Sequence, residues 1–134
     1  MQHIDEALVG LLSAAPEVAI LVGHRIYSSQ QPQGGQLPSI VFGRENNSRN
    51  GFIGLDNTAA FSRGTYSIAC LAETFLESRN LARAVRRSLE YKQTTDVRLV
   101  RVTDESDVIE EAPSGEQLPI YRTDLTVELT HVEP

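Results

Sequence analysis

Cysteine is nearly missing from this chain, and its single representative, Cys70, excludes any internal disulfide. It lies in an apolar alternation with Tyr66 and Ile68, where a thiol is expected to serve as a small buried hydrophobe. Long hydrophobic runs are missing too: no segment approaches the roughly 18 apolar residues of a membrane-spanning helix. The first residues, Met1-Gln2-His3-Ile4-Asp5-Glu6, lack the basic start of a secretory signal. These absences together predict a protein made in a reducing cytoplasm and held there until it assembles with something. Positive charge is in deficit, with 12 Lys and Arg against 18 Asp and Glu, a net charge of −6. That balance argues against an outer surface built to grip nucleic acid, which needs a basic footprint. It is compatible with a surface that DNA merely passes.

Catalytic and metal-binding patterns are absent as well. His3, His24 and His131 stand far apart, and none has a second ligand at H-x-x-x-H or C-x-x-C spacing. There is no G-x-G-x-x-G, no G-x-x-x-x-G-K-[ST] and no G-x-S-x-G. The acidic stretch 104–117 lacks the twelve-residue calcium-loop pattern and reads as a solvated loop. No cofactor is expected, and weight moves from enzymology to binding or structural roles.

What is present is a single domain's worth of ordered pattern: 134 residues, 40% hydrophobic and 22% charged. The organising element is a helix read over 71–91. Leu71, Phe75, Ser78, Ala82, Val85 and Leu89 share a face, with Leu76 and Leu81 widening the apolar side. Thr74 followed by Glu77 has capping-box spacing. Glu73 and Glu77 near the start, and Arg79, Arg83, Arg86 and Arg87 further on, suit the helix macrodipole.

A short first helix is read over 4–15, closed by Pro16. The apolar start of 18–27 reads as either a second short helix or a turn. Gly23 ends it, and 25–27 leave in extended form. Polar residues 28–36 form a loop, and a strand opens after Pro38 with Ile40 and Phe42 on one face. Residues 45–62 read as a long loop of turn formers with an apolar tip, Phe52, Ile53 and Leu55. That tip either docks on a partner or folds back. Strands follow at 63–72, at 97–103 with an ambiguous inward face, and at 120–132. The last has the clearest alternation: Tyr121, Thr123, Leu125, Val127 and Leu129 against Arg122, Asp124, Thr126, Glu128 and Thr130. The expected fold is α+β: a mostly antiparallel four-stranded sheet packed by one long helix, plus a short N-terminal helix. Inserting the last strand between the second and third gives the spatial order 1-2-4-3 with all neighbours antiparallel.

The charged helix face, the apolar-tipped loop and an acidic loop of opposite sign are the features of a subunit in a larger assembly. Complementary surfaces on one chain let a head-to-tail contact repeat and close into a ring. The candidate interface residues are Arg79, Arg83, Arg86, Arg87, Arg49, Phe52, Ile53, Leu55, Asp107, Glu110 and Glu111. A contact between the arginine face and the acidic loop of a neighbour should weaken as salt rises past about 0.15 M, where charges are screened within roughly 8 Å.

One resemblance joins these parts. Leu21-Val22-Gly23-His24-Arg25-Ile26-Tyr27, a polar loop with Pro32, and then Leu37-Pro38-Ser39-Ile40-Val41-Phe42 resemble the tail-completion family of tailed bacteriophages. The likeness continues through the 66–91 strand and helix to Arg-x-Asp-Leu-x-Val at 122–127. Its pattern of G-x-R-[IV]-Y followed by Pro-x-[IV]-[VI] is short, and the order and spacing carry most of its weight. The resemblance implies a non-enzymatic ring, typically a hexamer, on the head-proximal end of the tail tube. Its implied partners are the tail tube protein and the neck or head-completion proteins. It further implies passage of DNA through the lumen without specific binding, no membrane contact, and a place in the virion after assembly in the host cytoplasm. Gly23 and Arg25 match the family's early motif and are read as structural. The competing readings are a head-completion or connector ring of the neck and, in a different class, a small cytoplasmic ligand-binding domain.

Overall fold

The computed structural model describes residues 4–28, 36–50, 61–90, 92, 97–110 and 120–132. Helix α1 (Ile4–Ala14) forms because Leu8 and Leu12, one helical turn apart, both go fully into the core beside Ala7. Ala15 is extended (φ −83°, ψ 116°), as the residue before a proline must be. Pro16 then opens α2 (Pro16–Val22), where its missing N–H is no loss. The open choice at 18–27 thus resolves as a helix, with Val18 and Val22 buried and Ile20 on the solvent side. Gly23 ends it at φ 58°, a backbone angle that side chains with a Cβ rarely adopt, and donates its N–H to the Ala19 carbonyl at 2.8 Å.

The strands are β1 (Ile26–Ser28), β2 (Ser39–Asn50), β3 (Phe61–Ala72), β4 (Val97–Glu110) and β5 (Ile120–Val132), in one sheet ordered β1-β2-β3-β5-β4. The four long strands take the expected order and are antiparallel throughout. The expected sheet is incomplete in one respect. The short β1 adds a fifth strand, parallel to β2, so the sheet is mixed. Three helices rather than two accompany it, and the core lies where they meet one face of the sheet, among Leu8, Leu12, Tyr66, Ile68, Leu81, Val85, Leu125 and Val127.

Element boundaries move in three places. Helix α3 is Phe75–Leu89, shorter than the 71–91 reading, because Leu71 and Ala72 still pair with Arg122 and Tyr121 in the sheet. Thr74 is its cap as expected, extended at φ −140° and ψ 158°, with Oγ1 accepting the Glu77 N–H at 3.2 Å. Leu76 does not widen the buried face. It is 71% exposed, because 100° per residue puts it in line with Arg79 and Arg83 on the solvent side.

The 45–62 loop is smaller than expected, since β2 continues to Asn50 and β3 begins at Phe61. Ladder pairing from Asn46↔Thr65 to Asn50↔Phe61 overrides the turn preference of the Asn and Ser residues. Likewise, 104–110 is strand and not acidic loop: β4 pairs with β5 as far as Glu110↔Ile120. The ambiguity of 97–103 has a geometric cause. Register shifts between Val97 and Leu99 and between Val102 and Asp104 insert extra residues, so a strict two-residue alternation fails. Val97 and Val100 are buried, Val102 is half-buried, and Leu99 turns outward.

Candidate functional site

Hydroxyls on two apolar faces bring the helix and an interior strand of the sheet together. Ser78 on α3 and Thr123 on β5 are both fully buried, with their oxygens 3.0 Å apart. Thr123 Oγ1 donates to Asp107 Oδ1 at 2.8 Å, which leaves the one Ser78 hydroxyl proton to be shared between Thr123 Oγ1 and the Phe75 carbonyl, each 3.0 Å from Ser78 Oγ. Asp107 Oδ2 in turn accepts from Arg79 Nη2 at 2.9 Å and Arg79 Nε at 3.1 Å. The Arg79 guanidinium, then the Thr123 hydroxyl, hold the Asp107 carboxyl below the usual carboxylate range. Above this network Phe75 meets Tyr121 edge-on at 4.6 Å, and the Arg79 guanidinium lies 5.2 Å from the Phe75 ring centre.

Arg79 and Asp107 are therefore partners within one chain. Arg83 and Arg87 are exposed on the outer side of α3. Arg86 is half-buried and lines a polar groove with Arg87, Glu90, Val102, Thr103, Asp104 and Glu105. A second groove, of about 290 Å³, lies where Arg87 and Ser88 face Leu11, Ala15 and Glu17. Arg49 sits in β2 opposite Ser62, and Glu110 closes β4. Phe52, Ile53, Leu55 and Glu111 lie outside the described residues, so the apolar loop tip does too. Among the described residues, no three His, Cys, Asp or Glu side chains are grouped to hold a metal. No described helix is long and apolar enough to cross a membrane.

The structure gives the G-x-R and Pro-x-[IV] pattern a single physical meaning. Arg25 Nε donates to the Pro38 carbonyl at 2.9 Å, and Arg25 Nη2 donates to the Leu21 carbonyl at 3.2 Å. One guanidinium thus caps the end of α2 and fastens the start of β2 to it. Ile40 N–H donates to the Arg25 carbonyl at 2.9 Å, and Ile26 then pairs with Ile40. Gly23 turns the chain, Arg25 clamps it, and β1 and β2 zip from that point. On the face of the sheet away from the helices, Arg122 Nε and Asp124 Oδ1 lie 2.8 Å apart, the contact that Arg-x-Asp spacing permits on one side of a strand.

The Ser78–Thr123 pair was not anticipated as a pair. Its signal was available: each is a hydroxyl at a position the periodicity marks as buried, and buried hydroxyls need partners. Cys70 is buried as read, and burial, with Asp124 and Glu105 adding to it, pushes its thiol well above the ordinary range.

What these elements define is an α+β fold whose conspicuous surfaces are a basic helix side and an acidic strand edge. The chain belongs to the family of the Tail completion protein gp17, whose model matches residues 6–129. In three dimensions it is similar to a chain from the solved structure titled "Virion of native gene transfer agent (GTA) particle". The TM-score is 0.70 at 16% identity, over 94% of this chain and 92% of that one. No curated protein matches the chain in sequence.

Proposed function

We propose that this protein is a ring-forming tail terminator, a structural component of a phage-like virion. Copies assemble, as a hexamer, on the head-proximal end of the tail tube and stop its growth. The same ring offers a docking surface to the neck of the filled head. The observation that carries this reading is membership of the tail-completion family along nearly the whole chain. The fold shared with a chain of a gene transfer agent virion supports it.

The role requires surfaces rather than bond chemistry, and charge is consistent with it. DNA passes through the lumen during ejection, and a net charge of −6 disfavours its retention there. Arg83, Arg86 and Arg87 are assigned to contacts with another protein, because a basic side facing the lumen would hold phosphates. Assembly takes place in the host cytoplasm, and the finished protein resides at the head–tail junction.

Electron microscopy of particles made without this protein tests the reading. Tails of abnormal length are the expected result. Normal tails that fail to join heads would reassign it to a joining or head-completion role alone, and normal infectious particles would overturn both.

A further inference from the structure

We infer that the outer edge of β4 pairs with the uncovered outer edge of β2 in a second copy, carrying one sheet across the subunit junction. This rests on the ring reading above and names the surfaces that build the ring.

Among the described residues, no strand lies beyond β4 at one end of the sheet, and at the other only the short β1 lies beyond β2. On one side, β4 from Leu99 to Glu110 pairs only with β5 among the described residues. On the other, β1 is three residues long and covers β2 only at Ile40, Val41 and Phe42. Beyond Phe42, β2 runs on to Asn50 with β3 as its one described neighbour. Rows of N–H and C=O groups along such edges are templates for another strand. A head-to-tail contact needs two different surfaces on opposite sides of the subunit, and these edges are so placed.

Strand direction favours the match. Three successive antiparallel pairings, β2 with β3, β3 with β5 and β5 with β4, leave β4 running opposite to β2. Copies repeated by rotation about an axis along the strands keep their direction. The β4 of one copy then meets the β2 of the next antiparallel, the slightly more stable ladder. The regular part of β4 after its second register shift, Asp104 to Glu110, supplies roughly 20 Å of straight edge at about 3.4 Å per residue.

Charge selects between the two ways of using β4. Its regular edge carries Asp104, Glu105, Asp107 and Glu110 with no basic residue. A two-fold pairing of β4 with β4 sets acid against acid, which is unfavourable. The uncovered part of β2 carries Arg44 and Arg49 against one acid, Glu45. Register puts Arg44 opposite the buried Tyr66, on the helix side of the sheet, as Glu105 is opposite the buried Leu125. Opposite charges therefore fall on one side of the continued sheet. Arg79 already occupies Asp107, so Glu105 is the acid this junction uses first.

The test is a charge exchange on the full chain, read by sedimentation under conditions where the wild type forms a closed oligomer. Asp104→Lys/Glu105→Lys reverses one edge, and Arg44→Glu/Arg49→Glu reverses the other. Each variant alone should dissociate at concentrations at least tenfold above wild type. The equimolar mixture should regain the oligomer, which misfolded chains would not do. Closed oligomers from either variant alone, as tight as wild type, would refute the edge junction and leave the ring standing. Intact rings that no longer bind tail tubes would assign the edge to another partner and overturn the inference. A wild type that forms no ring, free or on tubes, removes the ring reading and this junction with it.

Discussion

Arg79 and Asp107, 28 residues apart, form an ion pair inside one chain, with Nη2 and Nε at 2.9 and 3.1 Å from one carboxylate oxygen. Opposite charges that look like two halves of an intermolecular contact are here a brace between α3 and the β4 edge. The brace orients Phe75 on Tyr121 and closes over the buried Ser78–Thr123 pair. It also leaves Arg83 and Arg87 as the part of the arginine series that faces outward.

The brace has a pH signature. Because the folded-state pKa of Asp107 is lowered, its contribution is present above the ordinary aspartate value of about 3.9 and is lost as pH falls through the folded value. Arg79→Ala should cost about 0.5–1 kcal/mol at pH 7, a small value because the arginine is 58% exposed. Denaturant midpoints of wild type and variant should converge as pH drops below the usual aspartate range. A gap that persists at pH 2 would mean the loss came from packing on Phe75 and not from the charge.

Leu81 and Leu76 form a matched test of which side of α3 is core. Leu81 is fully buried and Leu76 is 71% exposed. Leu81→Ala should cost about 2–5 kcal/mol through lost burial and a residual cavity. Leu76→Ala should stay within about 0.5 kcal/mol in the isolated chain. Urea unfolding measures both. A large loss at Leu76 would mean that the helix is rotated from the orientation described.

Tyr66 pins α1 to the sheet by donating its hydroxyl proton to Asp5 Oδ1. Burial first, then the Asp5 carboxylate, raise its pKa far above the ordinary value of about 10. The sign is that of an acid kept protonated by the fold: the stability it contributes is present below about pH 10 and is lost as pH rises beyond it. Tyr66→Phe should cost about 1 kcal/mol at pH 7 and speed amide exchange in α1. Above pH 10 the variant should overtake wild type in relative stability. Unchanged α1 exchange would show that Leu8 and Leu12 hold the helix without the hydroxyl.

Local rules and periodicity by themselves determined a good deal of this protein. The Thr74 cap, the stop of α1 at Pro16, the break at Gly23 and the alternation of β5 follow from them, and the order of the four long strands is the one that inserting β5 between its neighbours gives. The family follows too, through residues whose joint meaning only the fold reveals: Arg25 and Pro38, 13 residues apart in the motif, meet where the guanidinium bonds the carbonyl. Tertiary structure decided the rest. Pairing drew the Asn-rich end of β2 and the acidic half of β4 into strands that their own propensities disfavour. Two shifts of register hid the inward face of β4, because an inserted residue reverses every later side chain. The partner of Asp107 was likewise a tertiary matter. Charge along a sequence names what can attract, and only the packing of α3 against the β4 edge chooses Arg79 of the same chain.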